Sequence, residues 1–219
     1  MDDDQFNALK NATPVLAMAT KAYENRLSEF GPEARAVFWL NHDMQQKRYQ
    51  ILIDIFDDID QAGGISIHDF GCGYGALFDF LKDHPVMQKS RYIGTDMSKK
   101  MIEAAQFGIQ DPRAHFVRHL KATETVDYTF ISGTYNMHMG TDDDQWTDYI
   151  KASLSDLWRT SRKGLVFNML HSDTADKFLG LYYADPKLFF DFCSQHLSPN
   201  VRLSIDKPLP DWTIFIRRD

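Results

Sequence analysis

Asp69, Gly71, Gly73 and Gly75 stand together in HDFGCGYGA, and Asp96 closes the next apolar run, YIGTD. A glycine-rich turn after an apolar strand lets the backbone approach a ligand closely, so a nucleotide site is the first expectation. A dinucleotide fingerprint reads G-x-G-x-x-G and holds a pyrophosphate at the following helix N-terminus. Here the third glycine comes one residue early, and a carboxylate at Asp69 would repel a pyrophosphate. Asp69 suits a cation instead, such as a sulfonium or an α-amino group.

Asp96 follows at the distance that places an acidic side chain on a ribose. Its two oxygens can accept both ribose hydroxyls, and Met97 can pack on an adenine face. A nucleoside at Asp96 with a positively charged tail at Asp69, Gly71 and Gly73 describes S-adenosylmethionine. A tight turn with no ligand would account for the glycines but not for two carboxylates spaced in this way.

These residues need a scaffold that ends several strands at one edge. ISIHDF, RYIGTD, AHFVRH, DYTFISG and GLVFNML read as strands, and ALFDFLKDH, SKKMIEAAQFG and DDDQWTDYIKASLSDLWRTS as helices between them. Ser98 is placed to cap one helix, and Thr141 or Asp142 another. Such alternation implies a doubly wound parallel sheet with helices on both faces. DPKLFFDFCSQHL is a further helix, and VRLSIDKPLPDWTIFIRR reads as two strands joined by a Pro-rich turn, an antiparallel addition at one edge. Ahead of Gly63 the chain is helical, in a segment around Pro14 and another in DMQQKRYQILIDIFDDI. We read residues 1–62 as a helical cap over the ligand-binding edge, and residues 63–219 as the domain that holds the cofactor.

The chain has 219 residues, 43% hydrophobic and 25% charged, as expected of one globular domain with a small cap. A net charge of −7 disfavours a protein that grips nucleic acid through its phosphates. Two cysteines without a CxxC pair suit a reducing compartment, MDDDQFNALK lacks the pattern of a signal peptide, and no apolar run is long enough to cross a bilayer. A cytoplasmic protein, monomeric or homodimeric, with no nucleic-acid or membrane partner is the expectation.

The chain resembles the class I S-adenosylmethionine-dependent methyltransferases. IHDFGCGYG is similar to that family's first motif, YIGTDMSKKMIEAA to its second and DYTFISGTYN to its fourth-strand motif, over about residues 65–170. The resemblance implies a seven-stranded, mostly parallel sheet in the order 3-2-1-4-5-7-6 with the last strand antiparallel. It implies cofactor contacts from Asp69, Gly71, Gly73, Asp96 and Met97, and from Ser132, Gly133 and Thr134 at the end of the fourth strand. The family's acidic residue past the third strand is missing from FVRHLKAT, where Arg118, His119 or Leu120 would occupy the adenine region, and His119 is taken as the candidate contact. Arg48 is placed to pair with the cofactor's carboxylate, as in some relatives.

In SGTYNMHMG, Tyr135 and Asn136 are placed to orient an acceptor and His138 to take its proton. Trp39 reads as core rather than as a cofactor contact. TDDDQW reads as a helix start, where acids are favoured, rather than as a metal site. The expected activity is methyl transfer to an oxygen or nitrogen of a small-molecule acceptor, with no resident metal. A non-catalytic cofactor- or partner-binding subunit is the alternative, and a dinucleotide oxidoreductase is disfavoured by the glycine spacing.

Overall fold

A computed structural model of the chain describes residues 3–218; Met1, Asp2 and Asp219, the ends of the expected cap and domain, lie outside it. The N-terminal helices are α1 (Asp3–Asn11), α2 (Thr13–Phe30) and α3 (His42–Leu52). The sheet comprises β1 (Ser66–Phe70), β2 (Arg91–Asp96), β3 (Ala114–Arg118), β4 (Val126–Ser132), β5 (Ser161–Leu170), β6 (Val201–Ile205) and β7 (Asp211–Arg217). Between them run α4 (Ala76–Leu81), α5 (Lys99–Gly108), α6 (Asp143–Arg159) and α7 (Pro186–His196).

The strand order is β3-β2-β1-β4-β5-β7-β6, with β1 to β5 parallel and β7 antiparallel to both β5 and β6. The expected order is therefore the observed one. Every residue of β1 is buried, because helices cover both faces of the sheet there, whereas the edge strands β3 and β6 are mostly half-buried or exposed. Two apolar cores follow. On one face α6 and α7 pack through Trp146, Leu154 and Phe189 on Phe167 and Trp212. On the other, α3 to α5 pack through Leu52, Phe78 and Ile102 on Ile67, Phe130 and Val166.

Local signals set the helix boundaries. Ser98 accepts the N–H of Met101 at the start of α5, and Asp142 accepts those of Asp144 and Gln145 at the start of α6, each worth about 1 kcal/mol. The helical pattern of DMQQKRYQILIDIFDDI does not run its full length, because α3 stops at Leu52 and short 3-10 turns follow. Phe56 is extended, and Asp57 Oδ1 accepts the N–H groups of Ile59 and Asp60, a local bond that competes with helix. The N-terminal third also divides in two: α3 buries Tyr49 and Leu52 in the sheet's own core, while α2 reaches over the carboxyl ends of the strands.

Candidate functional site

The carboxyl ends of β1, β2 and β4 open on one cavity beneath α2. Where β1 stops, the N–H groups of Gly71 and Cys72 donate to Thr95 O at 2.8 and 3.0 Å, which ties the turn to β2. Gly71 has φ 76, and a Cβ there would lie 2.5 Å from Thr134 Oγ1. Only glycine satisfies both the backbone and the crowding. Gly73 N–H donates to Asp96 Oδ2 at 3.0 Å, so the glycine turn and the end of β2 hold each other.

Asp96 accepts the Ser98 N–H on its other oxygen at 2.7 Å. Burial pushes its carboxyl above the usual range against the pull of these N–H groups. Ser98 Oγ in turn donates to Glu24 of α2 at 2.9 Å, which docks the roof on β2. Tyr23, Thr20 and Leu16 of α2 line the cavity across from Asp96 and Met97.

Asp69 is 3% exposed and faces the same cavity. Burial raises its carboxyl to about 7, although the Tyr92 hydroxyl donates to it. Beside it in β1, His68 faces Thr95 Oγ1 at 2.8 Å and burial lowers its ring to about 4, so it stays neutral. Ser132, Gly133 and Thr134 form the third wall. Thr134 Oγ1 donates to Phe70 O at 2.9 Å, and Gly133 N–H donates to Asn168 Oδ1 at 2.8 Å. His119 lines the rim, with Nδ1 held near Lys121.

Asp69, Gly71, Gly73, Asp96, Met97, His119, Ser132, Gly133 and Thr134 thus lie around one cavity. Four residues named from sequence do not, and each is a correction. Arg48 is 4% exposed; its guanidinium pairs with Asp211 at 2.5 Å, donates to Met44 O and lies under the Trp39 ring. Tyr135 follows β4 into the core against α6, where its hydroxyl meets Ser153 at 2.8 Å. Asn136 Oδ1 accepts the Leu170 N–H and so fixes a loop. His138 uses both ring nitrogens on backbone, with Nε2 at 3.0 Å from Leu181 O and Nδ1 accepting from Gly140.

Sequence reasoning placed a helical cap over this edge but named no residue of α2, and it assigned Trp39 to the core. Trp39 is half-buried and lines the cavity, and its ring edge fills the space that a Cβ on Gly133 would need. The signal available for Trp39 was its place just past Gly31-Pro32, in the linker between two helices of a cap. For Tyr23 no local signal existed, since α2 is an ordinary mixed helix.

No protein-family profile matches the chain. A curated protein of Mycobacterium tuberculosis (strain ATCC 25618 / H37Rv), Rv1506c, which carries the name of a methyltransferase, is 36% identical over 163 residues, 73% of this chain and 97% of that one. Among solved structures, magnesium protoporphyrin IX methyltransferase (ChlM) from Synechocystis PCC 6803 with bound S-adenosylmethionine superposes with a TM-score of 0.62. It is 12% identical, with 100% of this chain and 99% of that chain covered. A TehB-like S-adenosylmethionine-dependent methyltransferase from Corynebacterium glutamicum ATCC 13032 gives 0.56 at 15% identity, covering 93% and 100%. The DhpI–S-adenosylhomocysteine complex gives 0.59 at 14% identity, covering 93% and 96%.

Proposed function

Because the chain belongs to the class I S-adenosylmethionine-dependent methyltransferases, with S-adenosylmethionine as its methyl donor, we propose that it methylates an oxygen or nitrogen of a small-molecule acceptor at the cavity under α2. The observation that carries this reading is the pair Asp69 and Asp96, which end neighbouring strands and open on the same enclosed space. The residues present fit the donor. Asp69 offers a carboxylate to a cationic tail, Asp96 offers two oxygens to ribose hydroxyls, and the turn at Gly71 leaves no side chain in the way.

The donor, when bound, supplies a methyl group on a sulfonium whose departure as a neutral thioether makes the transfer an in-line displacement. The protein's part is then chiefly alignment and exclusion of water. In our reading Asp96, Met97 and His119 hold the nucleoside end. Asp69, Gly71 and Gly73 hold the charged end, and Ser132, Gly133 and Thr134 face the reacting centre. Trp39 and α2 shut the cavity. Tyr135, Asn136 and His138 are held elsewhere, so none of them takes the proton of an acceptor that must lose one.

A cavity roofed by α2 and a net charge of −7 support a small molecule over a polyanion. In this reading the capping part of residues 1–62 is α2, which reaches the donor, while α3 belongs to the sheet's own core.

Calorimetric titration with S-adenosylmethionine, S-adenosylhomocysteine and NAD, repeated on Asp96→Ala, tests the site. Binding of both adenosyl ligands, weakened at least tenfold in the variant and with NAD silent, is the expected result. Binding of NAD alone, or unchanged affinity in Asp96→Ala, overturns the assignment.

A further inference from the structure

From Ser132, in the wall of the donor cavity, a row of polar side chains runs away across the sheet, and its other members do not line that cavity. Ser132 pairs with Asn168 and Asn168 with Thr213 in the sheet register, so these three side chains share a face; Asp211, two residues before Thr213, shares it too. Arg48 comes down from α3 to complete the row by pairing with Asp211. Asn168 and Asp211 are each 1% exposed and Arg48 4%. Yet Ser132 Oγ, Asn168 Nδ2, Arg48 Nε and Asp211 Oδ1 are all buried without a protein hydrogen-bond partner. Buried polar atoms are rarely left unpaired, so four in one row call for a hydrogen-bonding partner from outside the chain.

The row adjoins the donor cavity, and Trp39 stands between them. One face of its ring covers the Arg48 guanidinium at 4.0 Å, its edge rests on Gly133, and it lines the cavity. Trp39 follows Phe38, a non-glycine residue held at φ 63.

We propose that Ser132, Asn168, Arg48 and Asp211 form the acceptor subsite, and that it takes a neutral ring compound with adjacent hydroxyl groups, of the sugar or cyclic-polyol class. This deepens the reading above and rests on it. The open bonds decide the chemistry. Arg48 Nε and Asn168 Nδ2 can only donate, Asp211 Oδ1 accepts, and Ser132 does either. A carboxylate or phosphate would leave Asp211 unpaired and repelled, and an ammonium would face Arg48. Adjacent hydroxyls both give and take, and the Arg48–Asp211 pair needs no net charge from the ligand. Trp39 shifts from the guanidinium to open the row, and its flat face then packs on the ring's C–H surface.

The test uses the full chain saturated with S-adenosylhomocysteine and follows ligand contact by saturation-transfer NMR. The probes are myo-inositol and methyl α-D-glucopyranoside, with benzoate and cyclohexylamine as charged controls. Arg48→Lys keeps the charge pair but removes Nε, and Asn168→Asp keeps the acceptor on Gly133 but removes the free donor. Contact by a polyol probe, reduced at least fivefold in both variants, is expected. Silence from both polyols, contact by the charged controls instead, or polyol contact unchanged in both variants overturns the subsite. S-adenosylhomocysteine titration of each protein reports separately on the donor cavity, so its failure in the native chain would overturn the donor reading itself.

Discussion

Tyr92 on β2 donates its hydroxyl to Asp69 on β1; both side chains are buried, and Asp69 lines the donor cavity. The carboxyl sits at about 7, far above the ordinary carboxylate range, because burial outweighs the help from Tyr92, and the nearby Asp96 adds repulsion. A cationic ligand favours the ionised form, so binding draws the proton off. Affinity for S-adenosylmethionine should therefore improve as pH rises from about 6 to 8, by about tenfold in all, and level off above. Calorimetry in two buffers of different ionisation enthalpy should register proton release near pH 7. Asp69→Asn should flatten the profile and weaken binding.

The same shift has a stability consequence. The folded value lies above the unfolded one, so the folded chain holds the extra proton between about 4 and 7 and stability falls as pH rises through that window. Asp69→Asn keeps an acceptor for Tyr92 and carries no charge. At pH 8 without ligand it should be more stable than the native chain by about 1–3 kcal/mol, read by urea unfolding. A variant that binds its donor worse but folds better is the expected signature of a charge kept for function. Equal or lower stability would remove that explanation.

Gly71 and Thr134 make a second, purely steric case. Gly71→Ala forces a side chain into φ 76 and onto Thr134, so a loss of about 1–3 kcal/mol is expected from the backbone alone, with the contact adding to it. Gly71→Ala with Thr134→Ala removes the contact but not the strain, and should recover only part of the loss. Full recovery in the double variant would show that backbone conformation matters little there.

The strands, the glycine turn and the two acids were legible because they lie within a few residues of one another, whereas the strand order came from the family resemblance and not from any local signal. The acceptor side was not legible. SGTYNMHMG places three polar residues beside the cavity in sequence, yet the chain turns at Gly133, and Tyr135 goes to the α6 core while Asn136 and His138 brace loops. Arg48 pairs in the core with Asp211, which is 163 residues away and carries no local mark. What decides these side chains is pairing across the sheet, and a single sequence does not display it.

The roof offers a kinetic test. Glu24 on α2 accepts from Ser98, the cap of α5 just past Asp96, and with the Lys100–Ser28 bond it pins α2 there. Glu24→Ala should leave equilibrium stability within about 0.5 kcal/mol, since the group is partly exposed. Its effect should fall on ligand release, with S-adenosylhomocysteine dissociating roughly threefold to tenfold faster in stopped-flow measurements, in line with a bond worth about 1 kcal/mol. An unchanged dissociation rate would mean that ligand leaves by a route that does not lift α2.

Arg48 and Asp211 allow the most direct measurement of what the buried row costs. Their pair is almost wholly removed from water, and burial keeps the Asp211 carboxyl above its usual range despite the guanidinium beside it. Breaking such a pair leaves one uncompensated group, whereas replacing both with apolar residues restores balance. Arg48→Met alone should destabilise the fold by about 3–5 kcal/mol, and Arg48→Met with Asp211→Leu should return most of it or exceed the native stability. If the double variant is the more stable protein, the row is not there to hold the fold together, and its retention calls for a ligand. If instead the double variant is as weak as the single one, the pair is structural, and the unpartnered atoms beside it need no acceptor to explain them.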